Sequence, residues 1–165
     1  MASARHVIVA GAGVAGLTAA LALTRVGLRV TVIEQAAKLE ETGAGIQIGP
    51  NAARVLIALG LRERLAASVM TPQAIRVMAG GSGREIVRIP LGETAERRYG
   101  APYWTIHRGD LQAPLADAVK ATQDVTLKLG TRVDDFASHG KGITVHARNE
   151  QRASEDAAFA LIGAD

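Results

Sequence analysis

Residues 6–16 read HVIVAGAGVAG, and this stretch decides the fold. The apolar run at 7–10 carries β-branched side chains on both faces, as a strand buried in a parallel sheet requires. In the G-x-G-x-x-G loop that follows, Gly11 permits a tight turn and Gly13 lets the backbone approach a pyrophosphate without an intervening Cβ. Gly16 lets the next helix lie close to the strand. The stretch therefore predicts the first half of a nucleotide-binding βαβ unit.

The second half of that unit follows directly. Leu17 and Leu21 recur at helical spacing and predict a helix over 14–25, whose first N–H groups favour phosphate. Residues 30–33 form the next predicted strand, and Glu34 at its end can accept hydrogen bonds from both ribose hydroxyls of an adenosine. Because an acid at this position disfavours a 2′-phosphate, we expect FAD or NAD rather than NADP.

Composition narrows the class of protein. The 165 residues are 48% hydrophobic, which is typical of a globular domain, and they include no cysteine. Disulfides, thiolate metal ligands and a cysteine nucleophile are thereby excluded, and the composition fits a cytoplasmic protein. Aromatic residues make up 3% of the chain, too few for a base-stacking platform, so no nucleic-acid partner is expected. The four histidines share no metal-ligand spacing, and no metal is predicted.

The apolar stretch at 7–23 has the composition of a targeting segment or a membrane span. It contains all three glycines of the loop, however, and the next apolar run is a strand that ends in an acid. We therefore expect no membrane association.

Further along the chain the hydrophobic period changes. Residues 74–78 and 84–89 alternate as strands around a glycine-rich turn at 80–83, which predicts a hairpin. A polar loop is expected at 91–102 and a short strand at 103–107. Additional strands are predicted at 125–129, 131–136, 142–147 and 159–162.

A second amphipathic helix is expected after residue 107. Its apolar stripe consists of Leu111, Leu115 and Val119. Pro114 is tolerable only in the first turn, so the helix is predicted to begin near Gly109 or Asp110. Arg108 and Gln112 are four residues apart and would face the same way at its N-terminal end, as a phosphate clamp requires.

Four segments give the chain a resemblance to the N-terminal part of the class A FAD-dependent aromatic hydroxylases, in particular salicylate hydroxylase-like and 3-hydroxybenzoate 6-hydroxylase-like monooxygenases. They are the glycine loop with Glu34, GAGIQIGPNA at 43–52, HRGDLQ at 107–112 and LIGAD at 161–165. The first is shared by many nucleotide enzymes, whereas the second and third together are much more specific.

The resemblance implies roles around the ADP half of FAD. Glu34, with Gln35 beside it, would take the adenosine ribose, and the backbone around Val133 would border the adenine. The residues implied to hold the pyrophosphate are Gly11, Gly13, Ala15 and Gly16.

Other roles implied by the resemblance concern the remainder of the cofactor. Gln47 is a candidate contact from the second glycine-rich stretch. Arg108 would reach the flavin's phosphate or ribityl region, with Gln112 helping. Asp165 would belong to a motif associated with FAD and nicotinamide nucleotide binding. No catalytic acid or base can be assigned, because the residues around substrate and flavin ring lie mostly outside this sequence.

The expected fold is α/β: a Rossmann-like FAD-binding βαβ domain with a parallel sheet, an inserted β-hairpin with antiparallel strands, and an incomplete C-terminus. Residues 1–165 would form the N-terminal part of the FAD-binding domain, and about 70–105 would be an inserted β segment on the side of a largely missing substrate domain. The implied activity is hydroxylation of an aromatic acid or phenol through a flavin C4a-hydroperoxide, with NADH or NADPH as transient co-substrate. We expect the 165-residue chain alone to be inactive and to bind FAD weakly or not at all.

Three alternatives stay open from the sequence. Another flavin branch, such as an epoxidase or halogenase, shares the glycine loop. A non-catalytic split or truncated fragment could require a partner chain, or form a homodimer through an exposed sheet edge. An NAD dehydrogenase is disfavoured by the segments at 43–52 and 107–112.

Overall fold

The computed structural model describes residues 5–39, 43–150 and 152–164. It is a mixed α/β structure that divides into two compact units, Met1–Glu41 with Gln112–Asp165, and Thr42–Leu111. In chain order the elements are β1 (His6–Ala10), α1 (Val14–Arg25), β2 (Arg29–Ile33), β3 (Gly45–Ile48), α2 (Pro50–Ala58), α3 (Arg62–Leu65), β4 (Ala74–Met78), β5 (Glu85–Pro90), α4 (Glu93–Tyr99), β6 (Trp104–His107), α5 (Arg108–Lys120), β7 (Val125–Lys128), β8 (Arg132–His139), β9 (Gly142–Arg148), β10 (Ala153–Ala158) and β11 (Ala160–Gly163).

The first unit is built on a parallel sheet with the strand order β11-β1-β2-β7. Val7 of the inner strand β1 pairs with Val30 on one side and with Ala160 on the other. Strand β1, helix α1 and strand β2 form the predicted βαβ unit with the predicted helix bounds. The wholly buried side chains of β1 agree with a strand covered on both faces.

A meander of antiparallel strands, β10-β9-β8, packs against the parallel sheet. Ile8 and Ile33 of the sheet form a buried cluster with Val145 and Ala147 of β9. Lys128 at the end of β7 adds an ion pair with Asp156 of β10, with Nζ 3.0 Å from the carboxylate. Helix α1 contacts β1, β2 and β7 and buries one face that includes Leu17. Of these strands, β10 has no counterpart in the sequence-based prediction.

The second unit contains two antiparallel strand pairs, β3 with β6 and β4 with β5. The β4–β5 pair is the predicted hairpin, and it carries a bulge between Val77 and Met78. Helix α2 contacts β3 and α4. Strand β3 lies within the glycine-rich stretch that the sequence analysis did not assign to any element.

The prediction of a loop at 91–102 was wrong, because α4 occupies Glu93–Tyr99. Gly92 and Gly100 flank the helix with φ of 55° and 70°, which glycine adopts without strain. Acids in its first turn and arginines in its last turn complement the helix dipole. These capping and charge signals outweigh the polarity that suggested a loop.

The start of α5 lies close to the one predicted near Gly109 or Asp110, but the expectation that Pro114 belongs to its first turn was wrong. The helix begins at Arg108, so Pro114 lies in its interior rather than in its first turn. Proline has no N–H to donate to the carbonyl of Asp110, and this removes one intrahelical bond. Continuity of the helix nevertheless buries Leu111, Leu115 and Val119 completely. The boundary between the two units falls within α5.

None of the helices in the described ranges combines the length and the apolar character needed to cross a membrane.

Candidate nucleotide-binding site

The turn between β1 and α1 depends on two glycines that touch. Gly11 has φ of 109°, in the region that other residues rarely adopt. A Cβ on Gly16 would lie 2.0 Å from the carbonyl oxygen of Gly11, well inside van der Waals contact. Helix α1 can therefore lie against the end of β1 only with glycine at position 16.

Gly13 leaves the start of α1 open. It is the N-cap of the helix, and the nearest atom to a Cβ built on it is the Ala164 carbonyl oxygen at 4.0 Å. Within the described part of the chain, no side chain caps this helix and no acid lies in its first turn. The first amides of α1, including that of Ala15, have no carbonyl one turn earlier to bond. This arrangement suits an anion that approaches the backbone closely.

The Glu34 carboxylate follows β2 and contacts the glycine loop. Its Oε2 accepts a hydrogen bond from the Ala12 amide at 2.7 Å, and its Oε1 accepts one from the Ala36 amide at 2.8 Å. Each carboxylate oxygen has further lone-pair capacity after these bonds. The side chain is thus held in place by backbone donors and can still accept from hydroxyl groups.

Gln112 contacts the same loop residue, Ala12, at the Ala12 carbonyl oxygen rather than at its amide. Its Nε2 donates to the carbonyl oxygen of Ala12 at 3.0 Å, so the single residue Ala12 is held by two side chains. The sequence analysis expected Gln112 near the flavin's phosphate or ribityl chain. In the structure, one of its amide donors bonds the glycine loop, and its contact with the cofactor stays a prediction.

An open pocket of about 280 Å³ lies beside the loop. The Gly130 amide bonds the Ala36 carbonyl oxygen and the Thr131 amide bonds that of Glu34, both at 2.9 Å. These bonds bring the start of β8 beside the glycine loop. The pocket is lined by Ala10, Gly11, Ile33, Glu34, Gln35, Arg132 and Val133. The structure therefore brings four predicted site residues together, and it adds Arg132, which no sequence pattern had marked.

The segments at 43–52 and 107–112 are neighbours in the second unit. Strands β3 and β6 pair antiparallel, with Gly45 opposite His107. The Gln47 side chain accepts a hydrogen bond from the Tyr103 hydroxyl at 2.5 Å. Tyr103, which fixes the position of Gln47, was not singled out from the sequence because it belongs to no motif.

Arg108 packs over the second glycine-rich stretch. Its backbone amide bonds Ala44 at 3.3 Å, and a Cβ on Gly43 would lie 3.1 Å from its Cδ. His107 Nε2 is 2.9 Å from the Gly43 carbonyl oxygen, so Gly43 is contacted by two consecutive residues. The segments at 43–52 and 107–112, which are distant in sequence, thus form one local structure.

Two further predictions concern Asp165 and metal ions. Asp165 lies outside the described residues. Across ranges 5–39, 43–150 and 152–164, no group of three or more His, Cys, Asp or Glu side chains is arranged to hold a metal.

Comparison with known proteins identifies the family. Residues 4–165 match the FAD binding domain family. The chain is 40% identical over 160 residues to 3-amino-4-hydroxybenzoate 2-monooxygenase of Streptomyces cremeus, covering 97% of this chain and 39% of that protein. It is 38% identical over 159 residues to 3-hydroxybenzoate 6-hydroxylase of Polaromonas naphthalenivorans, covering 96% and 39%.

A solved structure extends the likeness to three dimensions. A variant of HpxO from Klebsiella pneumoniae, crystallised with FAD, superposes with a TM-score of 0.79 at 25% identity. The superposition covers 98% of this chain and 39% of that one. The chain thus spans about two fifths of the length of the relatives that it matches, and it belongs to the FAD binding domain family found in class A flavoprotein aromatic hydroxylases.

Proposed function

We propose that this chain is the ADP-holding part of an FAD-dependent monooxygenase that hydroxylates an aromatic acid or phenol. One observation supports this most directly: the Glu34 carboxylate bonds the glycine loop and lines the same pocket as Gln35 and Val133. An acid on the ribose, an open helix start for the pyrophosphate and a pocket beyond them are what an ADP group needs.

The residues present fit the cofactor. The open space at Gly13 suits close approach of a pyrophosphate, and the first amides of α1 are suitable donors to it. Glu34 would accept from the ribose hydroxyls, with Gln35 beside it, and the Val133 backbone would border the adenine. When bound, FAD supplies the redox chemistry, taking electrons from NADH or NADPH and passing them to O₂. This chain would position the ADP half of the cofactor.

The roles of Gln47, Arg108 and Asp165 toward the remainder of the cofactor stay proposals that rest on the family resemblance. Two contacts support a defined geometry for the first two side chains. The Tyr103 hydroxyl fixes Gln47, and the close packing of Gly43 against the stem of Arg108 restricts that side chain.

The substrate class is proposed from the named relatives, which act on hydroxylated benzoates. We further propose that the segment at about 70–105 faces a substrate domain formed by additional chain. The exposed apolar side chains of the β4–β5 hairpin support this assignment, since Ile86 is 62% and Ile89 is 47% exposed. Large apolar side chains at that exposure are usually covered by other protein.

Two measurements test the proposed function. Titration of the chain with ADP, followed by calorimetry, should show binding that G13A weakens, whereas flavin fluorescence should show weak FAD binding or none. A longer protein that contains these residues should oxidise NADH or NADPH faster when 3-hydroxybenzoate is added, and release a dihydroxylated product. The chain alone should show no turnover. Failure of ADP to bind, or appreciable turnover by the chain alone, would contradict the proposal.

Two subsidiary predictions accompany it. A cytoplasmic location is checked by fractionating cells that express the longer protein. A homodimer of the chain, one of the two forms that the alternative fragment hypothesis allows, is checked by size-exclusion chromatography with and without FAD.

A further inference from the structure

Arg132 is the cationic side chain that lines the pocket, at the start of β8. The Ala12 amide of the glycine loop bonds Glu34. On the other side, the residues just before β8 bond the backbone of Glu34 and Ala36. Arg132 therefore borders the ribose-binding acid from the side of residues 35–36. In the proposed function, that is the side on which the base of the nucleotide lies.

The Arg132 guanidinium is oriented by a neighbouring carboxylate. Its Nε donates to Asp134 Oδ1 at 2.7 Å. The other carboxylate oxygen, Asp134 Oδ2, forms an ion pair with Arg148, whose Nε is 3.3 Å away. The two terminal nitrogens of Arg132 have no hydrogen-bond partner among the residues that the structure describes. The guanidinium is thus held along one edge by Asp134, and Arg132 lines the pocket.

We propose that Arg132 is a positioning residue for the adenine ring, against which its guanidinium plane stacks. A guanidinium is planar, weakly hydrated and well suited to stack on aromatic faces. The anchor on Asp134 reduces the side-chain entropy lost when the ring arrives. This inference rests on the proposed function, because it assumes that Glu34 takes the ribose. It adds a side-chain contact to the adenine, for which only the Val133 backbone was proposed before.

Arg148 provides a matched control. It bonds the same Asp134 carboxylate through the same nitrogen, and its side chain is 58% exposed, as is that of Arg132. Arg148 does not line the pocket. Removing either arginine leaves Asp134 with one cationic partner, so a difference between the two variants reports on the pocket rather than on the ion-pair cluster.

The experiment measures ADP affinity of the chain by calorimetry for wild type, R132Q, R132Y, R132K and R148Q. Stacking predicts that R132Q binds ADP about fivefold more weakly, the size expected when a base loses one planar stacking partner. R132Y should bind within about twofold of wild type, because it replaces one stacking plane by another. R132K should bind as weakly as R132Q, and R148Q should bind as wild type does.

Three other outcomes would overturn the inference, and each has a different meaning. Rescue by R132K with loss in R132Y would mean that the charge acts on phosphate and not on the ring. Equal affinities of wild type and R132Q would remove Arg132 from the site and leave the proposed function intact. If the wild-type chain does not bind ADP at all, the proposed function and this inference fail together.

Discussion

A Cβ on Gly16 would stand 2.0 Å from the Gly11 carbonyl oxygen, closer than any non-bonded carbon and oxygen approach. The two residues join the inner strand of the parallel sheet to its helix. Their contact sets the distance between β1 and α1, and it therefore fixes where the first amides of that helix point. The glycine loop is a packing requirement of the fold as well as a binding feature.

G16A should destabilise the chain because α1 must move away from β1 to admit a methyl group. Backbone displacement of this kind costs about 3 kcal/mol. Urea unfolding followed by circular dichroism measures the change, with A15G as a control at an exposed neighbouring position. An unchanged midpoint for G16A would show that helix and strand are not in contact at this place.

G13A should separate binding from stability. A Cβ there meets no atom closer than 4.0 Å, and the residue has an ordinary φ of −68°. The free energy of unfolding should change by less than about 1 kcal/mol, as expected for an N-cap exchange without side-chain bonds. ADP affinity should fall at least about tenfold, because the methyl group occupies the space of the pyrophosphate. Retained affinity in calorimetry would place the phosphates elsewhere.

E34Q should weaken ADP binding about tenfold, since hydrogen bonds to a charged acceptor are stronger than those to a neutral one. The amide also has one oxygen where the carboxylate has two, so either Ala12 or Ala36 loses its acceptor. Discrimination against a 2′-phosphate should relax, which a comparison of AMP with adenosine 2′,5′-bisphosphate measures, because these two differ only in the 2′-phosphate. E63Q, on the exposed face of α3, is the control. Unchanged discrimination in E34Q would contradict the ribose assignment.

Q112L should release the Ala12 carbonyl and loosen the loop. The loss of one part-buried hydrogen bond is worth about 1 kcal/mol. Amide hydrogen exchange at residues 12–16 should accelerate in Q112L and not in Q123L, which removes an exposed glutamine after the same helix. Unaltered exchange would mean that Glu34 alone orders the loop.

The sequence predicted the parts of the fold that depend on local signals. The strand–glycine loop–helix–strand unit has a distinct pattern, and the structure reproduces its helix bounds. Strand β10 was missed because its residues, ASEDAA, are not apolar at alternate positions. It is held instead by its ladder to β9, in a short hairpin where Ala153 pairs with Arg148 and no alternation of apolar residues marks the second strand.

The candidate site likewise contains residues that the sequence identified and residues that it could not identify. Glu34, Gln35 and Val133 were named from motif and family resemblance, and they line one pocket. Ala12, whose two backbone groups are held by Glu34 and Gln112, carries no functional side chain and could not be recognised. The interior position of Pro114 was missed because the rule that proline belongs in the first turn ignores the burial gained by a longer helix.

The pairing of Val7 with Ala160 has a consequence for the order of folding. β1 acquires its partner β2 within a few tens of residues, but its other edge is completed by a strand that leaves the ribosome about 150 residues later. Non-local pairings of this kind form slowly, because loop closure precedes any gain from contact. During synthesis, one edge of the strand that leads into the glycine loop is therefore unprotected. Pulsed hydrogen exchange during refolding should label the β1–β11 ladder after the β1–β2 ladder has closed.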